Sequence, residues 1–149
     1  MIWQVPVNLK QIRDKGRDYP WPRPDCCMRC RNRRIWGHGY VVRYFDGFAE
    51  TLLLKCYRCP LCGCVMTARP ASHFPRIRSN RQTIFQHLRQ RITRGRWPPS
   101  PLCRSRLRHW LVNLRRRITA YLTNLWDLGD LAGFEELLLR GQIPVARVS

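Results

Sequence analysis

The sequence predicts an α+β fold, with a β-hairpin held between two cysteine knuckles and a helical region after it. Three observations carry this prediction. Cys27-Met28-Arg29-Cys30 and Cys59-Pro60-Leu61-Cys62 are paired C-x-x-C motifs. The stretch between them is β-branched and aromatic. After residue 79 apolar residues recur at helical spacing, within a tract that holds no Asp or Glu from Thr51 to Trp126.

The hairpin comes first. Gly39-Tyr40-Val41-Val42-Arg43-Tyr44-Phe45 has the composition of a strand. Asp46-Gly47 is a turn signal, and Thr51-Leu52-Leu53-Leu54-Lys55-Cys56-Tyr57 returns as the second strand. It delivers the chain into the second knuckle. Each C-x-x-C turn presents two sulfurs, and two turns supply the four ligands of a tetrahedral zinc site. The 28 residues between the pairs exceed the usual spacing of about 15–20, as a longer hairpin would require. Cys27, Cys30, Cys59 and Cys62 are therefore the expected zinc ligands. Four thiolates leave no open position, so the zinc would be structural. Cys56 also forms a C-x-x-C with Cys59, but Pro60 and Gly63 suit a tight knuckle and Cys56 reads as strand. Cys26, Cys56 and Cys64 are then small apolar fillers or bystanders. His38 and His73 would be the candidates for a second metal, and a hydrogen-bonding surface role suits each better. Cys103 is expected in a helical core.

Residues 1–25 are rich in Pro and Trp and read as an extended arm. Residues 65–78, with Pro70 and Pro75, look like a linker. Ser79-Asn80-Arg81-Gln82 offers a capping box, or Asn80 caps instead. Ile84, Leu88 and Ile92 then share one helix face over about 80–93. Gly95-Arg96-Trp97-Pro98-Pro99 must break that helix. Ser100-Pro101 restarts it, with a cap and a proline at the first helical position. Leu107, Leu111, Leu114, Ile118, Tyr121 and Leu125 then form a stripe that reads as core rather than as a coiled-coil seam. Gly129 ends this helix and Asp130 caps the next, which runs from Leu131 to about Arg140. Residues 142–149 look frayed. The domain organisation expected is an arm (1–25), a zinc ribbon (26–68), an arginine-rich helix-turn-helix-like region (69–128), and a C-terminal helix with its tail (129–149).

Charge points to the partner. The net charge is +19, and all but three of the 28 basic residues are arginine. Guanidinium forks suit phosphates and guanine edges, so a polyanion, double-stranded DNA first, is the expected partner. In a helix-turn-helix the second helix enters the major groove by its N-terminal part. Arg104, Arg106 and Arg108 lie there, off the Leu107/Leu111 face. Arg78, Arg81, Arg89, Arg94, Arg96 and Arg115 complete the expected nucleic-acid contacts. Contact by six to ten arginines would lower affinity roughly 10³–10⁵-fold between 50 and 200 mM salt. RNA is the rival partner, because Trp36, Tyr40, Tyr44 and Tyr57 sit beside basic residues and could stack bases. A zinc-stabilised protein-interaction module is the other rival. The acids Asp127, Asp130, Glu135 and Glu136 cluster in or beside the last helix, which is read as a cap or a protein-contact element.

Several classes are excluded at this level. Nine acids, four of them within 127–136, are too few and too clustered for a two-metal nuclease core. No phosphate-cradling Gly-rich loop occurs, so the chain reads as a non-enzyme. No apolar run approaches the roughly 20 residues of a membrane span, and the first residues lack the basic-then-apolar form of a signal peptide. The expected setting is a reducing cytoplasm, on the nucleoid in a bacterium, where close cysteines bind metal.

Pro22 to Leu114 resembles a module at the front of transposase-related proteins and bacterial mobile-element families of unknown function. The residues that carry the resemblance are Arg23-Pro24-Asp25-Cys26-Cys27-Met28-Arg29-Cys30, His38-Gly39-Tyr40, Arg43, Arg58-Cys59-Pro60-Leu61-Cys62-Gly63, Ile84-Phe85-Gln86-His87-Leu88 and Trp110-Leu111. The resemblance implies a zinc ribbon followed by helix-turn-helix elements that recognise DNA ends. No catalytic domain follows here, which implies a stand-alone binding or accessory factor.

Overall fold

In the computed structural model, which describes residues 1–148, the chain is α+β and divides into two units, 1–80 and 81–148. The break expected at 68/69 instead falls inside a strand.

The first unit is built on a four-stranded sheet. Its strands are β1 (Ile2–Val5), β2 (Trp36–Arg43), β3 (Leu52–Arg58) and β4 (Val65–Pro70), in the order β1-β4-β3-β2. β2 and β3 form the expected hairpin, antiparallel, with a register shift between Gly37 and Tyr40. Gly39 and Gly47 adopt φ of 80° and 88°, a region that favours glycine at the shift and in the turn.

Two expectations fail here for one reason. Residues 65–70 are not a linker but an internal strand, antiparallel to β3 and parallel to β1. The arm contributes β1, with Ile2 opposite Thr67 and Val5 opposite Pro70. Pro70 is tolerated because it is the last residue of its strand, and the Ala71 N–H supplies the next bond, to Val5 O at 2.8 Å. The pairing joins segments more than 60 residues apart, which local pattern cannot reveal. The arm also holds helix α1 (Leu9–Lys15). Asn8 caps it, accepting from Lys10 N at 2.9 Å and Gln11 N at 3.2 Å. Ile12, 1% exposed, joins Phe45, Leu52 and Leu54 in one buried cluster. A second cluster gathers Val5, Ile35, Tyr57, Met66 and Ala68 around Cys27, Cys59 and Cys64.

The second unit holds α2 (Arg81–Arg94), α3 (Arg104–Arg117) and α4 (Asp130–Leu139), with a π-helical turn at Ile118–Leu122. Ile84 and Leu88 of α2 are buried against no water at all, and Leu107, Leu111, Leu114 and Ile118 of the expected stripe are buried within the unit. Ser79 does not cap α2; its hydroxyl donates to Asp46. α3 starts three residues later than Pro101. Ser100 Oγ accepts from Leu102 N at 3.1 Å in a local turn, and the carbonyl of Cys103 takes the first helical N–H groups. Cys103 is exposed rather than core.

The long helix expected through 128 stops early. Leu122 takes the next buried position, Thr123 turns out of the helix at φ 90°, and Tyr121 and Leu125 are left exposed. Gly129, not Asp130, occupies the N-cap of α4; Asp130 is its first residue and pairs with Arg115 at 2.9 Å. Gly133 lets α4 approach the π-turn, since a Cβ there would lie 2.7 Å from Ile118 Cγ1. Gly141, at φ 71°, ends α4 as expected. Over the described residues 142–148 the tail is not frayed, and residue 149 lies outside the described residues. Pro144 and Val145 are buried, and Asn113 Nδ2 donates to Val145 O at 3.1 Å.

Candidate metal centre

Two chain reversals of the same construction bring four cysteines together. In the first knuckle, Arg31 N donates to Cys27 O at 3.0 Å and Cys27 N to Asn32 O at 2.8 Å. In the second, Gly63 N donates to Cys59 O at 3.0 Å and Cys59 N to Cys64 O at 2.9 Å. Each reversal needs a left-handed residue immediately after its second cysteine. Gly63 supplies it at φ 68°, and Arg31 supplies it at φ 64°. Pairing of β2 with β3 then sets the two knuckles face to face.

The Sγ atoms of Cys27, Cys30, Cys59 and Cys62 all lie within 4.8 Å of one another. Cys27 Sγ is 3.5 Å from Cys62 Sγ, and Cys30 Sγ is 3.5 Å from Cys59 Sγ. Zinc–sulfur bonds of about 2.3 Å in a tetrahedron separate sulfurs by about 3.8 Å, so the quartet fits one four-coordinate ion. None of the eight cysteines is in a disulfide. These are the four cysteines named from spacing. Cys56, the competing ligand, instead meets Thr67 Oγ1 at 3.5 Å inside the sheet. Cys64 is buried beside the site, and Cys26 is half-buried. His38 is exposed, and His73 is buried with its ring Nδ1 2.9 Å from Ser72 Oγ. Among the described residues, the quartet is the one cluster of three or more cysteine, histidine or acidic ligand atoms.

The local electrostatics suit a cation. Cys27 is lowered by the N–H of Cys30, against its burial, and then by the N–H of Arg29 and the neighbouring thiols. Burial pushes the Cys59 thiol up, but N–H groups of Cys62 and Leu61, the Asn32 amide and the Cys30 thiol together bring it down to about 6. Cys30 goes the other way. The Asn32 N–H lowers it, yet burial and the surrounding thiols of Cys59, Cys62 and Cys27 raise it to about 12. Crowded thiols do not all ionise together unless a metal compensates the charge. Asn32 Nδ2, 3.6 Å from Cys59 Sγ, is a donor from outside the ligand set of the kind that orients metal ligands.

The expected nucleic-acid residues fall into different settings. Arg78 lies in the first unit and is exposed, stacked over Tyr44 at 5.3 Å. Arg89, Arg94, Arg96, Arg104 and Arg108 are exposed in the second unit, and Arg81 and Arg106 are half-buried there. Arg115 is exposed but paired with Asp130. Arg104, Arg108, Val112 and Arg115 share one exposed face of α3, opposite Leu107, Trp110 and Leu114. Two members of the wider tract are structural. Arg69 is 7% exposed, and Arg117 is 8% exposed and holds the C-terminal tail. Of the stacking candidates, Trp36 and Tyr44 are exposed. Tyr40 lies under Lys55 Nζ at 4.4 Å, and Tyr57 is buried with its hydroxyl on Pro22 O.

Protein-family models, curated proteins and solved structures give no match to this chain. No helix among the described residues is long and apolar enough to cross a membrane.

Proposed function

We propose that the chain is a non-catalytic zinc-containing protein that binds duplex DNA, an accessory or regulatory factor of the mobile-element kind its knuckles resemble. In this reading Cys27, Cys30, Cys59 and Cys62 hold one Zn2+. Four thiolates select a soft or borderline metal and leave no position for substrate. The zinc ribbon then secures the fold of the first unit, and α2 and α3 serve as a helix-turn-helix-like pair joined by residues 95–103.

One observation carries the DNA reading. Arg91, Arg96, Arg104, Arg108 and Arg115 line a single groove of about 590 Å³ beside Trp97 and Val112, and no acid lines it. The exposed guanidiniums of Arg104 and Arg108, near the start of α3, suit contact with a phosphate backbone or entry into a major groove by the N-terminal part of the helix.

The test is a gel-shift titration of metal-loaded protein with duplex DNA at 50 and 200 mM salt. Four phosphate contacts, with Arg115 held by Asp130, should lower affinity by about 10² over that range, and Arg104→Ala with Arg108→Ala should reduce the log–log salt slope by about 2. No duplex binding at 50 mM salt would sink the reading. Exposed Trp36 and Tyr44, 56% and 58% accessible, favour a second reading in which unpaired RNA bases stack on the hairpin. Structured RNA outcompeting duplex DNA would select it.

A further inference from the structure

The first unit carries a basic pocket of its own. It holds about 490 Å³ and is lined by Arg43, Arg69, Arg76, Arg78, Tyr44 and Thr67, with Ile2 at its wall. Register explains the assembly. Ile2 and Thr67 face each other across the β1–β4 pair, and Arg69 follows two residues later on the same side. Arg43 ends β2, and Arg76 and Arg78 come from the segment after β4. Arg76 sits at φ 64°, a sharp reversal for a non-glycine residue.

Four cations line this pocket and no acid does. Asp46, the nearest acid in sequence, is not among the lining residues; it accepts the hydroxyl of Ser79, and its N–H donates to Arg78 O at 3.1 Å. Arg69 is the unusual member. It is 7% exposed; one Nη donates to Ile77 O at 2.7 Å, and its guanidinium lies 5.3 Å over the Phe45 ring. Its Nε is buried without a partner. Burial first, then the Arg43 charge, disfavours its protonated form. A buried guanidinium with an unused N–H, sharing a pocket with three more, suits an anionic ligand. The volume exceeds the need of a lone tetrahedral anion, and Tyr44 offers a ring at the rim.

We propose that this pocket binds a phosphate group, held by Arg69 from within and by Arg43, Arg76 and Arg78 from the rim. The phosphate comes either as a free or terminal monoester or as the diester of a nucleic-acid backbone. The site does not depend on DNA binding by the helical unit.

Arginine Nε–H NMR on the full-length, metal-loaded chain tests this directly. Inorganic phosphate replaces chloride at constant ionic strength, and a short oligonucleotide lacking terminal phosphates forms the second arm. The Arg69 Nε resonance should move and saturate. Movement with phosphate alone assigns the site to a monoester, and movement with the oligonucleotide assigns it to a diester. Arg43→Gln with Arg78→Gln should weaken the midpoint by about tenfold or more. Arg76→Gln, at an exposed position, should weaken it too if the double variant fails to fold. Arg104→Ala with Arg108→Ala should leave it unchanged while altering duplex affinity, which separates this site from the groove on α3. An Arg69 resonance that ignores both anions overturns the proposal, as does an Arg43/Arg78 variant that folds and titrates like the parent.

Discussion

Arg117 Nε donates to the carbonyl oxygen of Ala146 at 2.7 Å, so an arginine of the acid-free tract is the anchor of the last segment of the chain. Its two other nitrogens reach Gln142 Oε1 and Arg147 O, both at 2.9 Å. Two carbonyls of a segment with no secondary structure of its own are satisfied by one side chain. Arg117→Ala should therefore lower stability by about 1–3 kcal/mol, through the bonds lost and carbonyls left unpaired. Arg116→Ala, one residue away and exposed, should change it by less than about 0.5 kcal/mol. Denaturant melts of the two variants, with amide exchange at residues 142–147, check the contrast.

Metal loading should depend on the quartet and on pH. Cys59→Ser should lose the bound metal and unfold residues 26–64, whereas Cys56→Ser should retain metal at one ion per chain. Cys30, raised to about 12, keeps its proton at neutral pH until metal displaces it, and Cys59, lowered to about 6, regains one in mild acid. Ligation requires deprotonated sulfur. Affinity should thus fall as pH drops toward and below about 6, with proton release on binding at pH 7. Metal analysis and calorimetry in two buffers of different ionisation enthalpy measure both.

The two knuckles hold different residues at their equivalent left-handed position, Arg31 and Gly63, and substitution there should have opposite signs. Arg31 occupies the left-handed region at φ 64°, and glycine would remove that strain. Arg31→Gly should stabilise the metal-loaded protein by about 0.5–1 kcal/mol. A Cβ at Gly63 meets nothing within 4 Å, so Gly63→Ala costs the backbone term alone, about 1 kcal/mol. Thermal melts at saturating metal would show the reversal. The same sign at both positions would contradict it.

Gly133→Ala should destabilise the second unit despite alanine's higher helix propensity. The new methyl would lie 2.7 Å from Ile118 Cγ1 and 3.3 Å from Trp126 Nε1. Overpacking of this kind costs about 1–3 kcal/mol, against a propensity gain of about 1. Ile118→Val removes the Cδ1 atom and should recover part of the loss. Urea melts of the single and double variants report the coupling.

Short-range chemistry was readable without coordinates. A C-x-x-C reversal places two sulfurs within a few residues, so Cys27, Cys30, Cys59 and Cys62 could be named from spacing. Pro60 and Gly63 correctly favoured Cys62 over Cys56. The Gly47 turn placed the hairpin, and the spacing of Ile84 and Leu88 placed α2. Weaker local signals misled. Ser79 and Ser100 are strong caps by type, yet each hydroxyl is used elsewhere. The leucine stripe continues to Leu125 although the helix does not.

Contacts between distant segments settled everything else. The parallel pairing of Ile2–Val5 with Val65–Pro70 turned an arm and a linker into half of a sheet. Pairing of β3 with both β2 and β4 placed Arg69 and Arg43 in a shared pocket, which no spacing rule reaches. Identical arginines in one tract acquired three roles, exposed on α3, buried under the sheet's pocket, and clamped to the tail. Composition sets the total charge, but burial decides which guanidiniums remain for a partner, because a cation taken from water must be satisfied inside the fold. The knuckles followed from residues a few positions apart, and their meeting at 3.5 Å sulfur separations followed only from the strands that bring them together.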